Sequence, residues 1–148
     1  MSGGYRTILV GTDGSETSYR AVERAATIAA NSGATLMIAS AYAAEKPDPR
    51  AQDALGAEAY QVAGAAPADD AVRRGRDRAA GVGATDIETD VVQGKPADAL
   101  LSVADACRAD LLVVGNRGLN TLAGRIIGSV PMEIVRRSPV DVLVVHTT

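Results

Sequence analysis

Gly115, Gly118 and Gly128-Ser129 stand in one line of sequence, separated by two and then nine residues, directly after the apolar run Asp110 to Val114. Glycine lets backbone N–H groups approach an anion closely and tolerates positive φ. Gly128-Ser129 falls near the start of the helix expected over Arg125 to Arg137. Unpaired N–H groups and the dipole of a helix start favour a phosphate, and Ser129 adds a hydroxyl donor. A second apolar run, Thr7 to Val10, also stops at a glycine, Gly11, and continues as Thr12-Asp13-Gly14-Ser15. The pattern points to phosphate binding. It is not a Walker loop, because no Gly-Lys-Ser/Thr occurs, and Gly11-Thr12-Asp13-Gly14 lacks the later glycine of the dinucleotide fingerprint. Singly, each glycine also reads as turn or cap punctuation, and Asp13 also reads as a helix-capping carboxylate. The joint spacing is what makes the set informative.

Other reactive side chains offer less. Arg117 and Arg125 read equally as phosphate contacts or as solvated loop residues. Cys107 lies on an apolar helical face and reads as a small core residue; it is the only cysteine, so no internal disulfide or cysteine-cluster metal site can form. His146, the only histidine, reads as a surface residue, and no histidine-based zinc site can be built from it. Arg136-Arg137 reads as an exposed helix C-terminus favoured by the dipole. No Ser-His-Asp set, metal cluster or paired-carboxylate site is visible, so a dedicated enzyme is not indicated.

The elements that must position these residues alternate. Thr7 to Val10 is a β-branched, apolar strand, buried on both faces and hence parallel. Apolar residues from Ser18 recur at Ala21, Val22, Ala25, Ala26, Ile28 and Ala29 with helical spacing, stopped by Asn31-Ser32-Gly33. Ala34 to Tyr42 is a second strand. Ala51 to Ala63 reads as helical, Pro67 as an interruption, and Ala68 to Ala80 as a helix ended by Gly81 and Gly83. Thr85 to Gln93 alternates as an edge strand, Ala97 to Cys107 is a helix, Asp110 to Val114 a buried strand and Val140 to Val145 the last strand. This alternation predicts an α/β fold: a doubly wound parallel sheet with helices on both faces. Ligands in such sheets sit beyond the carboxyl ends of the strands, where the winding reverses.

Bulk composition sets bounds. At 148 residues the expectation is one domain, spanning 1–148. Hydrophobic residues at 47% and charged residues at 22% exclude global disorder. With no Phe or Trp, the core must be aliphatic and Ala-rich. A net charge of -3 argues against a nucleic-acid partner. Apolar stretches fall short of the ~20 residues that span a bilayer, and the N-terminus shows no signal-peptide pattern. The cytoplasm is the expected location, with no membrane partner.

The whole pattern resembles the universal stress protein family. Ile8-Leu9-Val10-Gly11-Thr12-Asp13-Gly14-Ser15, Ala109 to Gly115, the glycine spacing that follows, and Ser138 to Val145 carry the likeness over nearly the whole chain. The resemblance implies a five-stranded sheet in the order 3-2-1-4-5 with a nucleotide between the first and fourth strands. It implies that Asp13, within Gly11-Thr12-Asp13, meets the ribose hydroxyls and that Ala41 flanks an adenine, with Ser40 its neighbour. Gly115, Arg117, Gly118, Gly128, Ser129 and Val130 fall around the phosphate. ATP-binding members place a Ser or Thr where this chain has Pro131, which supplies neither hydroxyl nor N–H. With the Val113 to Gly118 segment and the ending Val144 to Thr148, this is similar to an actinobacterial branch associated with cyclic AMP. The implied function is a cyclic AMP binder or reservoir in stress or nucleotide signalling. The alternatives are an ATP binder, with Mg²⁺ and slow ATP hydrolysis or autophosphorylation, and a non-nucleotide dimeric interaction module. No cofactor is obligatory. Val140 to Val145, apolar on both faces yet placed at a sheet edge, predicts a homodimer.

Overall fold

The computed structural model describes residues 4–43, 65–117 and 128–147. Five strands, β1 (Thr7–Gly11), β2 (Thr35–Tyr42), β3 (Ile87–Gln93), β4 (Leu111–Gly115) and β5 (Asp141–Val145), alternate with helices α1 (Glu16–Ser32), α2 (Ala66–Gly81), α3 (Pro96–Cys107) and α4 (Ser129–Arg137). All neighbouring strands pair in parallel, in the order β3-β2-β1-β4-β5. This is the doubly wound α/β sheet that the alternation predicts.

Strand periodicity sorts the aliphatic residues onto two faces. Ile8, Val10, Leu36, Ile38, Leu111 and Val113 pack against α1 and α2. Leu9, Ala39, Leu112 and Val114 pack against α3 and α4. Ile8, Leu9, Val10, Leu112 and Val113 are fully buried, and each such side chain contributes roughly 1.5–3 kcal/mol. Buried Ala21, Ala25, Ala26 and Ala29 give α1 a small-residue face toward the sheet in place of aromatic filling.

The turn Thr12 to Ser15 supplies the N-cap of α1, the Ser15 hydroxyl accepting from the Ser18 N–H at 3.2 Å. Some boundaries differ from the sequence expectation. Pro67 does not interrupt α2 but sits in its first turn, where a missing N–H costs no hydrogen bond. Strand β3 begins at Ile87 and β5 at Asp141, shifts within the ordinary uncertainty of element ends. The helix expected over Ala51 to Ala63, and the residues before Gly128 expected to open the last helix, lie outside the described residues.

Sheet order positions the site. From β1 the chain winds outward through β2 to β3, then crosses to β4 and β5 on the other side. Helix α1 leaves β1 toward one face, whereas α4 follows β4 on the other. The connections therefore part at the carboxyl ends of β1 and β4, which opens a crevice there. The two sheet edges differ in character. Exposed Glu88 and Asp90 line β3, while Val142, Leu143 and Val144 of β5 are half-buried and apolar. Among the described residues, no helix is long and apolar enough to cross a membrane.

Candidate functional site

At that crevice lies a small open cleft, with a cavity volume of about 20 Å³. Strands β1 and β4 contribute Gly11, Val114 and Gly115. Helices α3 and α4 contribute the apolar Leu100, Val130 and Pro131. Polar groups come from Thr17 and Ser18 of α1, from Arg117 and from Thr147.

Both strand-end glycines are needed for space. A Cβ on Gly11 would stand 2.8 Å from Leu100 Cδ1, and one on Gly115 would stand 3.2 Å from Thr147 Cγ2. Neither glycine has a positive φ; among the described residues Gly14, Gly33, Gly83 and Gly94 do. The expected use of positive φ therefore does not apply at Gly11, Gly115 or Gly128, the last having φ -61° and ψ 161°. Gly118 and Arg125 lie outside the described residues.

The start of α4 borders the cleft through Val130 and Pro131. Gly128 caps the helix, but its N–H donates to the Asn116 carbonyl at 2.7 Å and is not free for a phosphate as the spacing alone suggested. The first intrahelical bond runs from Met132 N–H to the Gly128 carbonyl at 3.2 Å. Pro131, fully buried, has no N–H to offer. The donors that remain are the N–H groups of Ser129 and Val130 and the Ser129 hydroxyl, none of which has a partner among the described residues. Arg117 Nε, beside the cleft, is buried without a hydrogen-bond partner among the described residues. A buried orphan donor in a native fold calls for an explanation, and an anion in the cleft would supply one.

The turn after β1 is built by its own hydroxyls. Thr12 is fully buried, its Oγ1 lying 2.7 Å from Ser18 Oγ and accepting from the Gly14 N–H at 3.1 Å. Thr12 thus shapes the turn. Asp13 is exposed and accepts from the Ser15 N–H through Oδ1 at 2.9 Å, an Asx turn. Ser15, not Asp13, caps α1. Ala41 is half-buried near the carboxyl end of β2, opposite Val92 of β3, with Ser40 buried beside it. The structure therefore brings Gly11, Gly115, Arg117 and Val130 together as cleft walls. Thr12, Asp13, Ala41, Gly128 and Ser129 are placed on the same carboxyl edge outside those walls.

The sequence reading missed Thr17, Ser18, Leu100 and Thr147. Leu100 reaches the cleft from a helix that follows β3, and Thr147 from beyond β5, so no local motif marks them. Cys107 is half-buried against the α3–α4 core, and burial pushes its thiol up, away from a reactive thiolate. His146 is exposed. Among the described residues, no group of three or more metal-ligating side chains occurs.

The fold is that of a doubly wound α/β protein with a cleft at its switch point, and comparison with known proteins makes the class specific. The profile of the universal stress protein family matches residues 4–146, and the chain belongs to that family. It is 52% identical over 144 residues to a universal stress protein of Mycobacterium tuberculosis, covering 97% of this chain and 98% of that one. It is 33% identical over 142 residues to a universal stress protein of Thermus aquaticus, covering 96% and 99%. Among solved structures, a universal stress protein in complex with cAMP is 49% identical with a TM-score of 0.75, covering 99% of this chain and 100% of that chain. A universal stress protein of Lactobacillus plantarum, UspA, is 27% identical with a TM-score of 0.80, covering 97% and 99%.

Proposed function

We propose that this chain is a single-domain, adenine-nucleotide-binding protein that prefers cyclic AMP to ATP and acts as a sensor or reservoir in stress or nucleotide signalling in the cytoplasm. The observation that carries the reading is Arg117 Nε, a buried donor without a partner among the described residues at the wall of a cleft beside the start of α4, whose first amides likewise have no partner among them. A relative 49% identical, solved with cAMP, supports the same reading. In it, Asp13 accepts from the ribose 2′-hydroxyl through its unengaged oxygen, and Ala41 flanks the adenine. Ser129, Val130 and Arg117 hold the single phosphate, with Gly11 and Gly115 leaving it room. Small molecules released from freshly purified, denatured protein, read by mass spectrometry, should contain cyclic AMP or AMP; a released set without any adenine compound would count against the proposal.

Arg117 also favours a second reading, Mg²⁺-ATP, since a guanidinium tolerates more negative charge. Pro131 weighs against it. A γ- or β-phosphate at the start of α4 finds no hydroxyl or N–H at that position, so its lost hydration is not replaced. Pro131→Thr should strengthen ATP binding about 3- to 10-fold, the worth of one added hydrogen bond of ~0.5–1.5 kcal/mol, and leave cyclic AMP nearly unchanged. An unchanged ratio of the two affinities would reject this account of selectivity. Release of phosphate from Mg²⁺-ATP would support the ATPase alternative.

The reading includes a homodimer through β5. This strand is a sheet edge whose one charge, Asp141, stands at its start, followed by half-buried Val142, Leu143 and Val144. Pairing with a second copy would satisfy its free backbone groups. Replacing Val142 and Val144 with lysine should convert dimer to monomer or aggregate by light scattering. A monomer for the unmodified protein at micromolar concentration would refute the dimer.

A further inference from the structure

Thr147, beyond β5, is 1% exposed and Asn116, directly after β4, is 8% exposed. Hydrogen bonds from four elements meet at this pair. The Asn116 N–H donates to the Val145 carbonyl at 2.8 Å, and the Gly128 N–H donates to the Asn116 carbonyl at 2.7 Å. Asn116 Oδ1 accepts from the Thr147 N–H at 2.9 Å and from the Thr147 hydroxyl at 3.0 Å. The Arg20 guanidinium of α1 donates to the Thr147 carbonyl at 2.8 Å. A satisfied buried polar network of this kind specifies one arrangement, because each broken bond leaves a desolvated group unpaired. Its location matters. Asn116 lies between Gly115 and Arg117, both cleft walls, and its carbonyl holds the cap of α4. Thr147 is itself a wall, with its methyl group 3.2 Å from where a Cβ on Gly115 would stand.

We infer that Asn116 and Thr147 form a positioning clasp that fixes the spacing between Gly115 and the start of α4, and through it the affinity of the cleft. The effect on affinity rests on the nucleotide reading above; the clasp itself does not. Asparagine suits the position because its Oδ1 receives two donors without bringing a negative charge beside an anion site. The segment after β5 is thereby part of the cleft.

The clasp is tested in the full chain with Asn116→Ala, Thr147→Ala, the double variant, and Thr147→Ser, which keeps the hydroxyl donor. In nucleotide-free protein, amide hydrogen exchange at Gly128 should quicken about tenfold in Thr147→Ala and return toward the unmodified rate in Thr147→Ser. Calorimetry with cyclic AMP, at a temperature where every variant is folded, should show affinity about tenfold weaker in each alanine variant. The double variant should lose little more than either single one, since both residues belong to one unit. Unchanged exchange at Gly128 overturns the clasp. Faster exchange with unchanged cyclic AMP affinity overturns its role in positioning, because a merely structural pair would lower melting temperature and leave affinity alone. Absence of cyclic AMP binding in the unmodified protein refutes the nucleotide reading instead, and the exchange rates still decide whether the clasp exists.

Discussion

Ser129→Asp is expected to leave the fold intact, to raise its stability slightly, and to weaken cyclic AMP binding at least ~10-fold, about 1.4 kcal/mol. The two effects have opposite signs for one reason. Ser129 is the exposed first residue of α4, following the Gly128 cap. A carboxylate in the first turn interacts favourably with the helix dipole, by roughly 0.3–1 kcal/mol. The same carboxylate neutralises the positive end that would receive a phosphate. With cyclic AMP bound it would also face the like charge of the phosphate, where repulsion at ~4 Å is about 1–4 kcal/mol in surface surroundings. The variant separates stability from binding, which a cavity or packing mutation does not. Thermal melts by circular dichroism and calorimetric titration read the two effects. Cyclic AMP binding at the unmodified affinity would remove the start of α4 from the site.

The second large effect is expected at Gly11. Gly11→Ala brings a methyl group within 2.8 Å of Leu100 Cδ1, so Leu100 must move. Leu100 is buried and is itself a cleft wall, so its displacement is taken up at the cleft. Overpacking of this kind costs about 1–3 kcal/mol in stability, and nucleotide affinity should fall at least ~10-fold. Adding Leu100→Ala should restore part of both losses by making room for the new methyl group. Recovery of neither in the double variant would show that Leu100 is not the neighbour that matters.

These two positions also show what a sequence can and cannot disclose. The runs ending at Gly11 and Gly115 announced buried parallel strands because their side chains are apolar on both faces, and the structure ends β1 and β4 at those glycines. The alternation of elements gave the doubly wound class by the same local logic. That glycine was required there for space next to Leu100 and Thr147 was not legible, since both neighbours arrive from distant parts of the chain. The Gly128 amide looked available in sequence. Its partner, the Asn116 carbonyl, is a long-range contact that only the folded crossing of β4 and α4 creates. Pro67 was read as a break because proline interrupts helix interiors, and its harmless place in the first turn of α2 depends on where that helix begins. Thr12 fell between the two cases. The motif around it was plain, but its burial turned a candidate contact into a turn-shaping hydroxyl bonded to Ser18.

The central claim is a cleft suited to an adenine nucleotide with one phosphate, held by Arg117, Ser129 and Val130 beside a position where Pro131 offers no donor. Side-by-side calorimetric titration of the unmodified, nucleotide-stripped protein with cyclic AMP and with Mg²⁺-ATP, at matched ionic strength, tests it most directly. The account predicts binding of both with the smaller dissociation constant for cyclic AMP. A smaller dissociation constant for ATP, or no heat with cyclic AMP, would contradict it.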